Sequence, residues 1–130
     1  MLIVEDQEPM RAALREFLRS AYPASAILEA ADGAGALEQC RSHRPRVVLL
    51  DVELPDANGI ELIAWIKALR PDCAVIMVSQ HAGRIYSERA RAAGAVAYVA
   101  KDAIRRELLP AIAGAFANSR VPPVPRKARE

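Results

Sequence analysis

Apolar and polar positions along the chain follow two rhythms. Short, largely apolar runs recur at residues 2–4 (LIV), 26–30 (AILEA), 46–50 (RVVLL), 74–78 (AVIMV) and 95–99 (AVAYV). Between them, apolar residues return every three or four positions, the period of a helix with one buried face. Pro9 suits a first helical turn, and Met10, Ala13, Leu14, Phe17 and Leu18 follow on one face. Residues 34–42 read as a shorter helix with Leu37 inward. Gly59 precedes a helix with Ile60, Ile63, Ile66 and Leu69 inward, closed by Pro71. Residues 84–93 read as a helix that stops at Gly94, where a left-handed cap would fall. A last helix lies between about Arg105 and Asn118. Pro110 leaves its start open: from Glu107 the proline sits harmlessly in the first turn, whereas from Arg105 it implies a kink or a frayed start.

Five strands thus alternate with five helices. Runs such as VVLL and VIMV lack polar alternation, as parallel strands covered on both faces do. Right-handed crossovers leave few topologies. The expectation is an α/β, flavodoxin-like three-layer sandwich, with a parallel five-stranded sheet in the order 2-1-3-4-5. That order brings the carboxyl ends of strands 1, 3, 4 and 5 to one functional edge. Residues 1–119 would form the domain, and the Pro-rich, basic 120–130 an extended or disordered tail.

Composition narrows the classes. The chain has 130 residues, 52% hydrophobic and 26% charged, enough for one globular core. No apolar run is long enough to cross a membrane, and the start lacks the apolar core of a secretory signal, so a cytoplasmic protein is expected. Cys40 and Cys73 fit no metal-ligand spacing and read as ordinary apolar side chains. Of 18 basic and 16 acidic residues, four and one lie in the tail, leaving a nearly neutral body. That argues against direct nucleic-acid binding.

Asp51 stands out. It ends the greasy strand VVLL, where a carboxylate loses hydration unless a partner offsets the loss. The other strand ends supply company: Glu5-Asp6 after strand 1, Ser79 at the end of strand 4, Lys101 after strand 5. Carboxylates drawn to about 4 Å repel by roughly 4 kcal/mol per pair at an effective dielectric near 20. Lys101 offsets one charge, and a divalent cation would offset the rest. An all-oxygen donor set favours Mg²⁺, or Mn²⁺, over zinc. Such a pocket suits phosphoryl transfer, with Asp51 as nucleophile and Ser79 donating to a phosphoryl oxygen.

The segments LIVED (2–6), VVLLDVELPDANG (47–59), VIMVS (75–79) and AYVAKD (97–102), in that order, resemble the receiver domain of two-component response regulators. The likeness runs from Leu2 to about Asn118, and the KD ending is similar to receivers joined to helix-turn-helix transcription factors. The resemblance implies that Asp6 ligates Mg²⁺ directly, Glu5 through water, with Asp51 and the backbone carbonyl of Glu53 as further ligands. It implies that Asp51 takes a phosphoryl group from a phosphohistidine on a sensor histidine kinase or histidine phosphotransfer protein. Lys101 would bridge to that group, and Ser79 and Tyr98 would form a switch pair, Ser79 moving toward the phosphoryl group and Tyr98 turning inward. Pro55 and Gly59 match the loop after the phosphorylation site. The output would be a changed surface on helix 4, strand 5 and helix 5, a homodimer on phosphorylation, and control of an output domain or effector. No separate substrate would be turned over.

Departures from the family pattern are a short first strand, Gln80 after the switch serine, Ala97 for a common glycine, and Asp102 for a common proline. His81 reads as a surface loop residue close enough to affect the phosphoryl lifetime, and Trp65 as packing or surface. Two other readings compete. Asp51-Val52-Glu53 is similar to the acid-x-acid motif of haloacid dehalogenase-type phosphatases, but the second acid is a glutamate and the motif lies on strand 3. A degenerate receiver acting as a phosphorylation-independent interaction module would not need the complete set Glu5, Asp6, Asp51, Ser79 and Lys101.

Overall fold

The computed structural model describes residues 1–81 and 83–117, so the tail expected at 120–130 lies outside the described residues. Strands β1 (Leu2–Val4), β2 (Leu28–Ala30), β3 (Val47–Leu50), β4 (Ala74–Ser79) and β5 (Ala97–Ala100) form one sheet. Its order is β2-β1-β3-β4-β5, and every pairing is parallel. Helices α1 (Glu8–Ala21), α2 (Gly33–His43), α3 (Gly59–Leu69), α4 (Arg84–Ala93) and α5 (Ile104–Ala117) make the crossovers. This is the expected flavodoxin-like α/β sandwich.

The unbroken apolar strands follow from burial on both faces. Val48 and Leu50 of β3, with Val4 and Met77, join the core that includes Cys40, Ile63 and Ile66. Their neighbours Val47 and Leu49, with Ile3 and Val78, join a second core that includes Leu18, Leu108 and Ile112. Successive side chains point to opposite faces, so each face needs its own apolar residue and no polar alternation survives. On α1, Leu14 and Leu18 are buried and Met10 and Phe17 half-buried, but Ala13, expected inward, is exposed.

Strand limits shift for identifiable reasons. β2 begins at Leu28, not 26, because the Met1 ammonium takes the Ala26 carbonyl at 2.7 Å and the ladder starts with Leu28 N–H on Met1 O at 2.8 Å. β5 begins at Ala97 because Gly94 and Ala95 first close α4 on Arg91 and Ala90 carbonyls. The three-residue β1 is fully buried and paired on both sides, so its shortness leaves no exposed edge. Gly94 has φ +120°, as a cap of positive φ requires. Arg44 takes the left-handed position after α2 (φ +49°) without being glycine, so no sequence signal marked it.

Register places the functional edge. Val4 pairs with Leu50, so Glu5 and Asp51 leave the sheet at the same level. Ser79 pairs with Ala100, so Lys101 follows directly beside the end of β4. A 3₁₀ turn, Lys101–Ala103, leads into α5. Among the described residues no helix is long and apolar enough to cross a membrane.

Of the two starts considered for the last helix, the earlier applies: α5 begins at Ile104 and runs unbroken through Pro110, an interior and solvent-exposed position. The proline removes one backbone donor and costs helix stability. Pro110→Ala restores the donor and is expected to raise stability by about 1 to 3 kcal/mol in urea unfolding; an unchanged or lower midpoint would contradict this reading of α5.

Candidate functional site

Four strand ends converge. Asp51 N–H reaches Val4 O at 3.2 Å and Glu5 N–H reaches Ala30 O at 3.0 Å, so the sheet's own ladder fixes both backbones. Glu5 is 2% exposed, Asp51 6% and Ser79 0%. Lys101 Nζ lies 2.9 Å from Glu5 Oε1 and 3.2 Å from Asp51 Oδ2, one ammonium bridging two buried carboxylates. Asp6 is exposed at the rim, and one oxygen each from Glu5, Asp6 and Asp51 can lie within 4.8 Å of one another. Glu5 also accepts from Gln7 N–H at 3.0 Å, and Asp51 Oδ1 accepts from Glu53 N–H at a long 3.3 Å.

The electrostatics follow from burial. Desolvation pushes the Glu5 carboxyl above the usual glutamate range, outweighing the Lys101 and Gln7 donors that favour its charged form. Burial alone would pull the Lys101 ammonium down, but Glu5 and Asp51 together hold it above the usual lysine value. The pocket is thus two buried carboxylates with one fixed cation and a third acid open to solvent. Three oxygens drawn from two chain segments, the turn after β1 and the end of β3, with no nitrogen or sulfur donor among them, fit a hard divalent cation. The side-chain donor set fits the expected Mg²⁺ chemistry.

The loop after β3 is built for close approach. Gly59 N–H donates to Val52 O at 2.6 Å, and Leu54 N–H to Ala57 O at 3.3 Å. A Cβ on Gly59 would sit 2.0 Å from the Asp51 carbonyl oxygen, so only glycine lets the chain turn into α3 so near the Asp51 backbone. Asn58 then caps α3, its Oδ1 accepting from Ile60 N–H at 2.8 Å.

Two features of the site carry no signal in the sequence. Asp56, at the loop's tip, accepts from Gly33 N–H at 2.7 Å and Ala34 N–H at 3.0 Å, tying the loop to the start of α2. Those donors hold its carboxyl below the usual aspartate range. His81, read as a surface residue, is a half-buried junction. Its N–H donates to Ser79 Oγ at 3.1 Å, its carbonyl accepts from the Tyr98 hydroxyl, and its Nε2 lies 3.0 Å from Glu53 Oε2. Its ring stacks on Tyr86 of α4 with centroids 4.6 Å apart. A turn residue two positions past Ser79 carries no such signal, because the partners come from three other segments. Tyr98 is half-buried and packed against the core. Burial raises its phenol above the usual range, with the nearby Ser79 hydroxyl opposing. Trp65 is 66% exposed on α3, and Cys40 and Cys73 are buried free thiols, Cys73 pushed up to about 12 by burial.

Residues 1–113 match the family model of the response regulator receiver domain. The chain is 30% identical over 120 residues to the response regulator UvrY of Escherichia coli K12, covering 92% of this chain and 55% of that protein. The chain spans about half the length of the curated relatives it matches. Its fold is similar to a CheY-like response regulator receiver domain protein from Methanospirillum hungatei (TM-score 0.80, 29% identity, covering 89% of this chain and 91% of that one). It is also similar to a Burkholderia pseudomallei response regulator solved with a phosphorylated aspartic acid, calcium ion and citrate (TM-score 0.78, 25% identity, covering 89% and 68%). A doubly covered parallel sheet with an acidic pocket at the carboxyl ends of its strands is a flavodoxin-like α/β module with a site for a hard cation. The chain belongs to the receiver domain family of two-component response regulators, whose members work with histidine kinases and output domains.

Lys101→Ala leaves Glu5 and Asp51 facing each other without a cation. With chelator present it is expected to lose about 3 kcal/mol of unfolding free energy. Asp51→Asn, which leaves Lys101 on Glu5, should fold at least as well as wild type. Urea titrations of the two variants check this, and a fully stable Lys101→Ala would contradict the electrostatic account.

Proposed function

We propose that Asp51 is the phosphoacceptor of this receiver and that phosphorylation shifts the surface of α4, β5 and α5. The observation that carries the reading is Lys101 Nζ within hydrogen-bond reach of both buried carboxylates, beside the exposed Asp6. Asp6, Asp51 and the Glu53 carbonyl would hold Mg²⁺, with Glu5 reaching it through water; Mn²⁺ is the alternative hard cation. When bound, the ion supplies positive charge to the oxygens of the transferring group.

The chain's own residues do the rest. An Asp51 carboxylate oxygen attacks the phosphorus of a phosphohistidine on a sensor kinase or phosphotransfer protein. The P–N bond breaks, an aspartyl P–O bond forms, and the imidazole, already protonated on its other ring nitrogen, leaves as the neutral ring. Lys101 moves its ammonium from the carboxylates onto a phosphoryl oxygen, and the Ser79 hydroxyl donates to another. Because His81 N–H rests on Ser79 Oγ and Tyr98 on the His81 carbonyl, a shift of Ser79 repositions the β4–α4 loop. Phosphorylation adds roughly −1.5 to −2 charge, enough to bias a two-state equilibrium of this kind. The output is an altered interaction, a homodimer or contact with an output domain or effector, in the cytoplasm where the kinase acts. Chemistry is confined to Asp51's own phosphorylation and its hydrolysis. No particular observation favours a phosphorylation-independent module.

Incubation with a small acyl phosphate and Mg²⁺, followed by intact mass, tests the reading. One phosphoryl group per chain is expected, lost with chelator and absent in Asp51→Asn. Labelling that persists in Asp51→Asn, or multiple turnover of phosphomonoesters, would overturn it.

A further inference from the structure

The loop from Asp51 to Gly59 has two ends held by the sheet and α3, and a tip that would otherwise project into solvent. Its base is closed by the Asp51 N–H on Val4 O and the Gly59 N–H on Val52 O. Its tip is held by Asp56, whose two carboxylate oxygens separately accept the Gly33 and Ala34 amides at 2.7 and 3.0 Å. These are the first two residues of α2, whose unpaired N–H groups and helix dipole favour an anion. The cap of α2 is already supplied by Asp32, which accepts from Gly35 N–H at 2.7 Å. Asp56 is therefore a second, long-range carboxylate on the same helix start, brought there from the loop. Position 33 leaves little room beside this contact. A Cβ there would lie 3.2 Å from Asp56 Oδ1 and 3.1 Å from the Ala57 methyl.

Glu53 sits between the two anchors. Its N–H makes the long 3.3 Å contact with Asp51 Oδ1, and its carbonyl is the backbone ligand assigned above. The Glu53 side chain offers a weaker restraint, since it is exposed and held by His81 at 3.0 Å. Without Asp56 the loop keeps only its cross-loop bonds, Gly59 N–H on Val52 O and the longer Leu54 N–H on Ala57 O at 3.3 Å, and could swing far enough to carry the Glu53 carbonyl out of reach of an ion that must meet near-ideal octahedral geometry.

We infer that Asp56 is a positioning residue, which locks the tip of the phosphoacceptor loop onto the α2 amides and thereby aims the Glu53 carbonyl at the metal and the Glu53 N–H at Asp51. The inference rests on the proposed Mg²⁺-dependent phosphorylation. Asp56 touches neither the metal nor the phosphoryl group; it acts through the loop. Partners that orient a ligand typically carry about 10- to 100-fold in metal affinity.

The test uses the full chain, with Mg²⁺ as the probe, followed by calorimetry and by the fluorescence of Trp65, the sole tryptophan. Asp56→Ala is expected to weaken Mg²⁺ binding about tenfold, and to slow labelling by acyl phosphate at low Mg²⁺ with recovery at saturating Mg²⁺. It should also speed amide exchange at Leu54 in the metal-free protein. Asp56→Asn keeps an oxygen acceptor for Gly33 N–H and should recover most of the affinity. An Asp56→Ala protein with wild-type Mg²⁺ affinity, or with a labelling defect that excess Mg²⁺ does not repair, overturns the inference alone. A wild-type chain that binds no Mg²⁺ and accepts no phosphoryl group overturns the underlying reading, and this inference with it.

Discussion

Two carboxylates buried side by side are the constraint around which the molecule is arranged. Glu5 and Asp51 are both nearly inaccessible, and both leave the sheet at the level set by the Val4–Leu50 pair. At separations of about 4 Å their repulsion is worth roughly 4 kcal/mol at an effective dielectric near 20. Lys101 answers it from the end of β5, two strands over from β3, 2.9 Å from one and 3.2 Å from the other. One ammonium cannot neutralise Glu5, Asp51 and Asp6 together. The resting pocket is therefore short of positive charge, which is what an incoming Mg²⁺ would supply. Phosphorylation would change the balance again by moving the lysine off the carboxylates.

That charge balance depends on rigid aim, and the doubly covered sheet provides it. Leu49 and Leu50 face different cores, so β3 cannot rotate or slide without exposing one set of apolar side chains. Beyond β3 the loop is held at its base by the close pass of Gly59 under Asp51, and at its tip by Asp56 on α2. On the other side, His81 joins Ser79, Tyr98, Glu53 and Tyr86 in one set of contacts. The site thus has a stiff floor and one wall tied to α4 through the His81–Tyr86 stack.

The strand order and the converging strand ends were legible because each rests on short-range pattern. Val47 to Leu50 announce a strand buried on both faces, and a carboxylate directly after it invites a partner. Register then follows from which faces must be buried. What the pattern hid depends on distant partners. Asp56 looks like an ordinary turn residue in LPDANG, and only the fold brings Gly33 and Ala34 beneath it. His81 looks like loop, and three of its four partners, Glu53, Tyr86 and Tyr98, lie on other segments. Ala13 keeps helical spacing yet faces solvent, because small residues satisfy either environment. Pro110 sits mid-helix because packing of Leu108 and Ile112 on the sheet outweighs the proline's propensity.

Asp51, Asp6, Glu53 and Lys101 are proposed to converge on one metal-assisted phosphoryl site. A crystal structure of the chain with Mg²⁺ and trifluoroberyllate, a phosphoryl mimic, tests it most directly. The mimic is expected on Asp51, the ion on Asp6, Asp51 and the Glu53 carbonyl, and Lys101 moved from the carboxylates to a fluorine. An unmodified Asp51, or an ion bound away from Glu53 with Lys101 still bridging Glu5 and Asp51, would contradict it.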